Sequence, residues 1–354
     1  MRASPLARFL FAVYVLLVVY ASLYPLSGWR DQGLSAFAYL TASRPRYVTA
    51  FDLVANLVGY LPYGFLCVLA LYPRLRGRFA LAAAVLSGAA LSLVMEAAQS
   101  FLPARIPSNL DVACNLAGAL AGAALGTRLS TWLLERGPLK RLRAEAFLPG
   151  HAADLGLVLL ALWLFTQLNP AMLLFGAGDL RDLLSTQGGT PHPPALFISV
   201  EAFTTAANLI AVALLVSVIA APGRPVRLMV VALLACALSV RVIAFAILMR
   251  AEHVFDWLTP GAAEGLAAGL VGALAALTLP RVGRLVLAAV LLMAATVLVN
   301  LAPPNPYLAA TLGEWQPGRF LNFNGLTKLV NSAWPFAAVA YLIWLAARRG
   351  RPAA

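Results

Sequence analysis

Long apolar stretches separated by short polar or basic segments dominate this chain. A stretch of about 18 or more apolar residues is long enough to cross the hydrocarbon core of a bilayer as an α-helix. Ten such stretches are predicted, at 7–27, 52–72, 79–101, 110–127, 152–175, 200–220, 226–249, 261–279, 282–302 and 327–347. The pattern therefore predicts an all-α, polytopic membrane helix bundle with about ten transmembrane helices.

Composition agrees with that prediction. Of the 354 residues, 62% are hydrophobic and only 11% are charged. A soluble chain of this length needs far more polar surface to cover itself. The composition thus excludes an ordinary soluble domain.

The net charge of +12 does not indicate a nucleic-acid partner, because most of the basic residues lie at the ends of the predicted spans and in the loops between them. If the helices alternate in direction, seventeen of the 26 Lys and Arg residues fall on one side of the membrane: Arg2, Arg8, Arg74, Arg76, Arg78, Arg128, Arg136, Lys140, Arg141, Arg143, Arg224, Arg227, Arg281, Arg284, Arg348, Arg349 and Arg351. The positive-inside rule places that side in the cytoplasm. We therefore predict a multi-pass protein of the bacterial inner membrane, with both termini cytoplasmic and no nucleic-acid partner.

The three cysteines give no sign of a disulfide or a metal site. Cys67, Cys114 and Cys236 all lie inside predicted spans, and the chain has no CxxC pair and no His-rich spacing. Such spacings are the usual sequence signature of zinc sites. We predict neither a metal nor a cofactor.

Polar residues from three helix ends fall at one predicted depth, on the outer side of the membrane. They are Asp52, Asn56, Glu96, Gln99, Arg105, Asp111 and Asn115. Members of each pair on one helix are three or four positions apart and so share a helix face. Because a carboxylate near hydrocarbon is costly, we expect Arg105 to pair with Glu96 or Asp111. Two interpretations stay open: caps and hydrogen bonds between helices alone, or a polar pocket open to the outside.

Small residues on the fourth span predict a close helix contact. Gly118, Gly122 and Gly126 repeat every fourth residue, and such a ridge lets two backbones approach closely. We assign Pro62 and Gly64 of the second span to helix packing as well.

Three motifs occur in order along the first four spans. They are Asn56-x5-Pro62-Tyr63-Gly64-Phe65, Ser92-x3-Glu96-x2-Gln99 and Arg105-x5-Asp111-x3-Asn115-x2-Gly118. Together they resemble the N-x5-P-x-G-F, S-x3-E-x2-Q and R-x5-D-x3-N-x2-G motifs of VanZ-like membrane proteins, over residues 15–127. The pattern departs from the family at Ser108, where many members carry a second acid. The resemblance implies a bacterial inner-membrane protein of the cell envelope, in a family named for low-level resistance to the glycopeptide teicoplanin. It implies no particular reaction.

Spans five to eight read as a degenerate second copy, at 152–279. Asn208 matches Asn56 and Ser239 matches Ser92, but Ile243 stands in the place of Glu96. We predict two parallel four-helix repeats at 1–133 and 152–279, a basic linker at 134–151, and a two-helix partial repeat at 280–354. Arg241 lies inside the seventh span, and we expect it to pair with Glu201 or Glu264.

Besides a non-catalytic interaction scaffold, three specific functions are compatible with this sequence. In the first, an outward-facing pocket binds or modifies an envelope amphiphile, a membrane lipid or a lipid-linked precursor. There Asp52, Asn56, Gln99, Ser108 and Asn115 contact the polar head, and Arg105 contacts a phosphate or carboxylate. In the second, Glu96 and Asp111 act as acid and base of a hydrolase or transferase on a prenyl or lipid phosphate. The third is a lipid flippase or transporter. No oligomeric state is predicted.

Overall fold

A computed structural model describes residues 4–33, 35–43, 49–181, 192–249, 251–303, 305 and 321–348. Within these ranges the chain is helical and contains no strand. The helices are α1 Pro5–Leu23, α2 Ala50–Leu71, α3 Gly77–Gln99, α4 Asn109–Thr131, α5 Pro138–Ala146, α6 His151–Thr166, α7 Pro194–Ile219, α8 Val226–Leu248, α9 Pro260–Ala276, α10 Arg281–Leu301 and α11 Leu321–Ala347. Eight of these described helices, all but α5, α6 and α9, are long and apolar enough to cross a membrane. The prediction of a polytopic membrane helix bundle is confirmed.

A helix occurs at each of the ten predicted spans, but two are shorter than expected. The helices α6 and α9 have 16 and 17 residues. The prediction of a span at 152–175 was wrong beyond Thr166, where α6 ends. The side chain of Gln167 turns back to the carbonyl oxygen of Trp163, 3.2 Å away, and Pro170 has no N–H with which to continue the helix.

The described residues form two compact units. One lies within 1–145 and 319–326, and the other within 146–318 and 327–354. The predicted domain boundaries, the partial third repeat and the parallel relation between repeats stay predictions.

In the first unit, α2 and α4 lie in direct backbone contact. An added Cβ at Gly118 would overlap the carbonyl oxygen of Leu57, and one at Gly122 would overlap that of Leu61. At Gly64 a Cβ would overlap the carbonyl oxygen of Ala119 on α4. Only glycine leaves room for this approach, which is the geometry of small-xxx-small helix contacts.

The remaining packing residues lie in the same interface or within α2. An added Cβ at Gly126 would lie 3.1 Å from the carbonyl oxygen of Phe65, which is tight but not overlapping. The helix α2 continues through Pro62 without ending. An aromatic cluster attaches α1 to α2, with the Tyr14 hydroxyl donating to the carbonyl oxygen of Gly59 at 2.7 Å. These contacts pack α2 against α4 and attach α1 to α2.

In the second unit, α7 is the central helix. It is buried along most of its length and apolar on all sides, as is typical of a helix surrounded by others. The start of α9 packs on it through glycines, and an added Cβ at Gly265 would lie 2.6 Å from the carbonyl oxygen of Ala202. Glycines therefore form one close helix contact in each unit, between α2 and α4 and between α7 and α9, while the internal repeat itself stays a prediction.

Residues 167–180 of the second unit form a buried, irregular segment. Such backbone is tolerated at membrane depth only where protein groups satisfy it. Thr205 donates to the carbonyl oxygen of Leu174 at 3.1 Å, and Asn331 donates to that of Gly176 at 2.6 Å. Side chains from the surrounding helices thus replace the hydrogen bonds that a longer α6 would have made.

Candidate functional site

The first unit gathers most of the predicted site residues at one end of its helices. We call this group the polar cluster; it consists of Asn56, Ser92, Glu96, Ser108, Asp111 and Asn115. They come from the start of α2, the last part of α3, and the start of α4 with the residue before it. Antiparallel neighbours bring these ends to the same level.

Glu96 is the most deeply buried acid of the polar cluster. Its side chain is 4% exposed, and its Oε2 accepts a hydrogen bond of 2.8 Å from the backbone N–H of Ser108. Ser108 is the N-cap of α4, with its Oγ accepting from Leu110 N at 3.1 Å. The positive end of the α4 dipole therefore faces the carboxylate. Among the described residues, no Lys, Arg or His lies within ion-pair distance of Glu96.

Asn115 links α4 to α3 by one hydrogen bond, while its side-chain oxygen has no partner among the described residues. Its Nδ2 donates to the Oγ of Ser92 at 3.0 Å, and both side chains are buried. Its Oδ1 is buried without a hydrogen-bond partner among the described residues. A buried acceptor in that state costs free energy unless a ligand or water satisfies it.

Two further carboxylates lie close to each other at the start of α2 and α4. Asp111 is half-buried, contacts the side chain of Asn56 and is repelled by Asp52. Asp52 is exposed and caps α2, its Oδ2 accepting from the Thr49 backbone N–H at 3.1 Å and the Thr49 hydroxyl at 2.7 Å. Three carboxylates therefore lie at this end of the unit.

The expected ion pair of Arg105 with Glu96 or Asp111 is wrong. The guanidinium instead binds the end of α1, with Nε donating to the carbonyl oxygen of Tyr24 at 2.9 Å and Nη2 to that of Ala21 at 3.0 Å. Burial lowers the pKa of Arg105, and the electrostatic attraction of Glu96 partly offsets that effect. Carbonyls that a helix end leaves without partners are good acceptors, so they attract a nearby guanidinium.

Gln99, like Arg105, contacts the end of α1. Its Nε2 donates to the carbonyl oxygen of Ser22 at 2.8 Å. Arg105 and Gln99, both predicted to contact a ligand, thus attach α1 to the turn between α3 and α4.

Sequence reasoning missed the segment that follows α1. Tyr39 is 4% exposed, donates to the carbonyl oxygen of Leu93 at 3.2 Å, and interacts electrostatically with Glu96. Ser100 donates to the carbonyl oxygen of Ala36 at 3.1 Å, and Asn109 to that of Ala42 at 3.0 Å. Residues 36–42 therefore pack over the helix ends that carry the polar cluster. The aromatic residues Tyr24, Trp29, Phe37 and Tyr39 in this segment were the available signal.

The predicted ion pair of Arg241 in the second unit is also wrong. Nη1 of Arg241 donates to the carbonyl oxygen of Asn169 at 2.6 Å, and Nη2 contacts that of Met172. Among the described residues no carboxylate lies within ion-pair distance, although Glu201 interacts with it electrostatically. Glu264 is exposed on α9.

The described residues offer no ready metal site. No group of three or more His, Cys, Asp or Glu side chains that could hold a metal ion occurs among them.

Helices long enough to span a bilayer, with buried charges near their ends, define a multi-pass membrane protein. Within it, residues 11–130 match the model of the family described as VanZ/LLP1. The predicted resemblance to VanZ-like proteins is thereby confirmed over roughly a third of the chain, the part that builds the polar cluster. Searches of curated proteins and of solved structures gave no significant match.

Proposed function

We propose that the VanZ-like part of this membrane protein binds the polar head of an envelope amphiphile, a membrane lipid or a lipid-linked precursor, at the polar cluster. The observation that carries the proposal is the buried carboxylate of Glu96, held by one backbone N–H and, among the described residues, by no cation at ion-pair distance. An ionised carboxylate in such surroundings is costly unless something else binds it.

The surplus acceptors indicate which chemistry the head carries. The carboxylates of Glu96 and Asp111 and the Oδ1 of Asn115 are acceptors only, and Oδ1 has no partner among the described residues, while two nitrogens of Arg105 are engaged by α1. A head that donates through an ammonium group or sugar hydroxyls complements this set. This expectation differs from the prediction made from the sequence, in which Arg105 recognises a phosphate or carboxylate of the ligand.

The apolar part of the amphiphile has a surface beside the polar cluster. Val54, Leu57 and Val58 of α2 are exposed next to Asn56. In a bilayer such side chains face lipid tails, so the chains of a bound amphiphile lie along α2 while its head reaches the helix ends.

The orientation belongs to the same proposal. Arg74 and Arg76 follow α2 at the end opposite to Asn56, and Arg128 lies in the last turn of α4. By the positive-inside rule the polar cluster faces outward from the bacterial inner membrane, and both termini are cytoplasmic. The family resemblance extends the proposal to sensitivity toward glycopeptide-type antibiotics.

Native mass spectrometry of the purified full chain tests the proposal. Wild type is expected to retain one bound amphiphile, and Glu96→Gln, which removes the charge but keeps the shape, is expected to lower the retained fraction roughly tenfold. Asp31→Asn is the matched control, because Asp31 is an exposed carboxylate of the same unit outside the polar cluster. Equal retention by wild type and Glu96→Gln would contradict the proposal.

An enzymatic role at the same place is the second candidate. Glu96 and Asp111 interact electrostatically, and two coupled carboxylates can divide the roles of acid and base on a lipid phosphate. Turnover of a prenyl or lipid phosphate by the purified protein, lost in Glu96→Gln, would favour this candidate. Retention of the amphiphile without turnover would favour binding alone.

A further inference from the structure

A cavity of about 300 Å³ lies in the second unit. The start of α7, the end of α8, the turn before α9 and part of the irregular segment enclose it. Most of its lining is apolar, including Phe197, Phe245 and Leu173, but Arg241 and Glu201 line it too. An apolar cavity with a few convergent polar groups is the usual form of a small-ligand site.

Arg241 places a buried charge in this cavity. The residue is 2% exposed, and its guanidinium lies 5.0 Å from the centre of the Phe245 ring. Backbone carbonyl oxygens engage Nη1 and Nη2, but Nε is buried with no hydrogen-bond partner in the part of the chain that is described. An unneutralised charge at this depth is costly, and such residues usually mark functional sites.

Glu201 lines the same cavity but does not lie within ion-pair distance of Arg241. It is 7% exposed, contacts the side chain of Thr259 and interacts electrostatically with Arg241. A Cβ added at Gly261 would lie 2.8 Å from Glu201 Oε2, so this glycine leaves room for the carboxylate. Opposite charges therefore line one cavity and stay more than ion-pair distance apart, as far as the described residues show.

Trp257 adds a second donor. Its indole Nε1 is buried with no hydrogen-bond partner among the described residues, although the residue is 8% exposed and lines the cavity. Tryptophan N–H groups are usually hydrogen-bonded when they are buried. Asp256, the neighbouring lining residue, accepts from His253 Nδ1 at 2.6 Å and gives the cavity lining a second carboxylate.

We propose that this cavity binds a zwitterionic head, with its phosphate or carboxylate at Arg241 and Trp257 and its ammonium group at Glu201 and Asp256. The cavity is at the small end of the usual range for ligand pockets, so it holds a head group rather than a whole lipid. Aminoethyl phosphate carries this chemistry, either free or as the head of an aminophospholipid. The proposal does not depend on the function proposed for the polar cluster.

A purely structural role for Arg241, as a clamp on the irregular segment, explains its contacts with Asn169 and Met172. That role does not account for the buried donor of Trp257, or for a carboxylate lining the same cavity. Variants at Trp257 and Glu201 therefore test the proposal without disturbing the clamp.

The test measures binding of two probes to the purified full chain: short-chain phosphatidylethanolamine and free phosphoethanolamine. Short-chain phosphatidylglycerol, which has no ammonium group, is the comparison. Glu201→Gln and Trp257→Phe are each expected to weaken binding of phosphatidylethanolamine, by roughly tenfold for the charged contact and several-fold for the indole donor. Glu264→Gln, at an exposed position on α9, is expected to bind as wild type does. Glu96→Gln is measured in parallel, because it reports any binding at the polar cluster.

Each outcome of this test is decisive. Binding of both probes supports the site and assigns it to the free zwitterion as well as the lipid, whereas binding of the lipid alone assigns it to a bilayer head group. Three results would overturn the proposal: no binding of either probe, equal binding of phosphatidylglycerol, or wild-type affinity in both Glu201→Gln and Trp257→Phe. A loss caused by Glu96→Gln, with wild-type affinity in Glu201→Gln and Trp257→Phe, would assign the binding to the polar cluster and overturn the proposal.

Discussion

Gly122→Ala is expected to destabilise the first unit by roughly 3 kcal/mol or more. The added Cβ would overlap the carbonyl oxygen of Leu61, which is backbone and cannot rotate away as a side chain would. The helices α2 and α4 must then separate, and the contacts at Gly118 and Gly64 loosen with them. The loss of stability is measured by heating the purified full chain and using size-exclusion chromatography to monitor how much stays folded.

The matched control for this prediction is Gly59→Ala on α2. A Cβ there meets no atom within 4 Å, so the only expected effect is the gain of about 0.5–1 kcal/mol that alanine brings to a helix interior. Equal melting temperatures for the two alanine variants would mean that α2 and α4 do not lie in backbone contact.

Arg105→Met is expected to cost about 2–3 kcal/mol of stability and to release the end of α1. The variant loses charge-assisted hydrogen bonds to the carbonyl oxygens of Tyr24 and Ala21, and one of 2.6 Å to the side chain of Asn322. Limited proteolysis between α1 and α2, together with the melting temperature, measures the release.

Arg105→Lys separates the two roles assigned to this residue. Lysine keeps the charge but lacks the planar fork that reaches two carbonyls at once, so intermediate stability is expected. If Arg105→Met melted as wild type does but lost its bound amphiphile, the residue would be a ligand contact, as the sequence suggested, and not a support for α1.

The helices were predictable because length and hydropathy decide whether a segment spans a bilayer. The end of α6 was not, because apolar residues resume after Thr166, at Leu168 and at 171–175. Asn169-Pro170 was the available signal. The side chains that stabilise the irregular segment, such as Thr205 and Asn331, lie far away in the sequence.

The members of the polar cluster were predictable from spacing, but their partners were not. Spacing placed Asp111 and Asn115 on one face, and the start of α4 near the end of α3. It does not reveal that Glu96 accepts from the backbone N–H of Ser108, or that Arg105 turns toward α1. Complementary charge suggested an ion pair, whereas helix-end carbonyls and N–H groups competed for the same side chains.

Only part of the glycine contact between α2 and α4 was predictable from the sequence. The ridge on α4 indicated a close helix contact, and Gly64 was assigned to packing on α2. Nothing in the ridge itself specified that Leu57 and Leu61 of α2 would supply the facing carbonyls.

Disulfide cross-linking most directly tests the central claim, that the starts of α2 and α4 bring their polar side chains together. Asn56→Cys and Asp111→Cys are combined in a chain whose native cysteines, Cys67, Cys114 and Cys236, are replaced by alanine. Mild oxidation in membranes is expected to join this pair, and to leave a pair of Asn56→Cys with Val94→Cys apart, because Val94 is exposed on α3. Failure of the first pair to cross-link, or equal cross-linking of both pairs, would contradict the account.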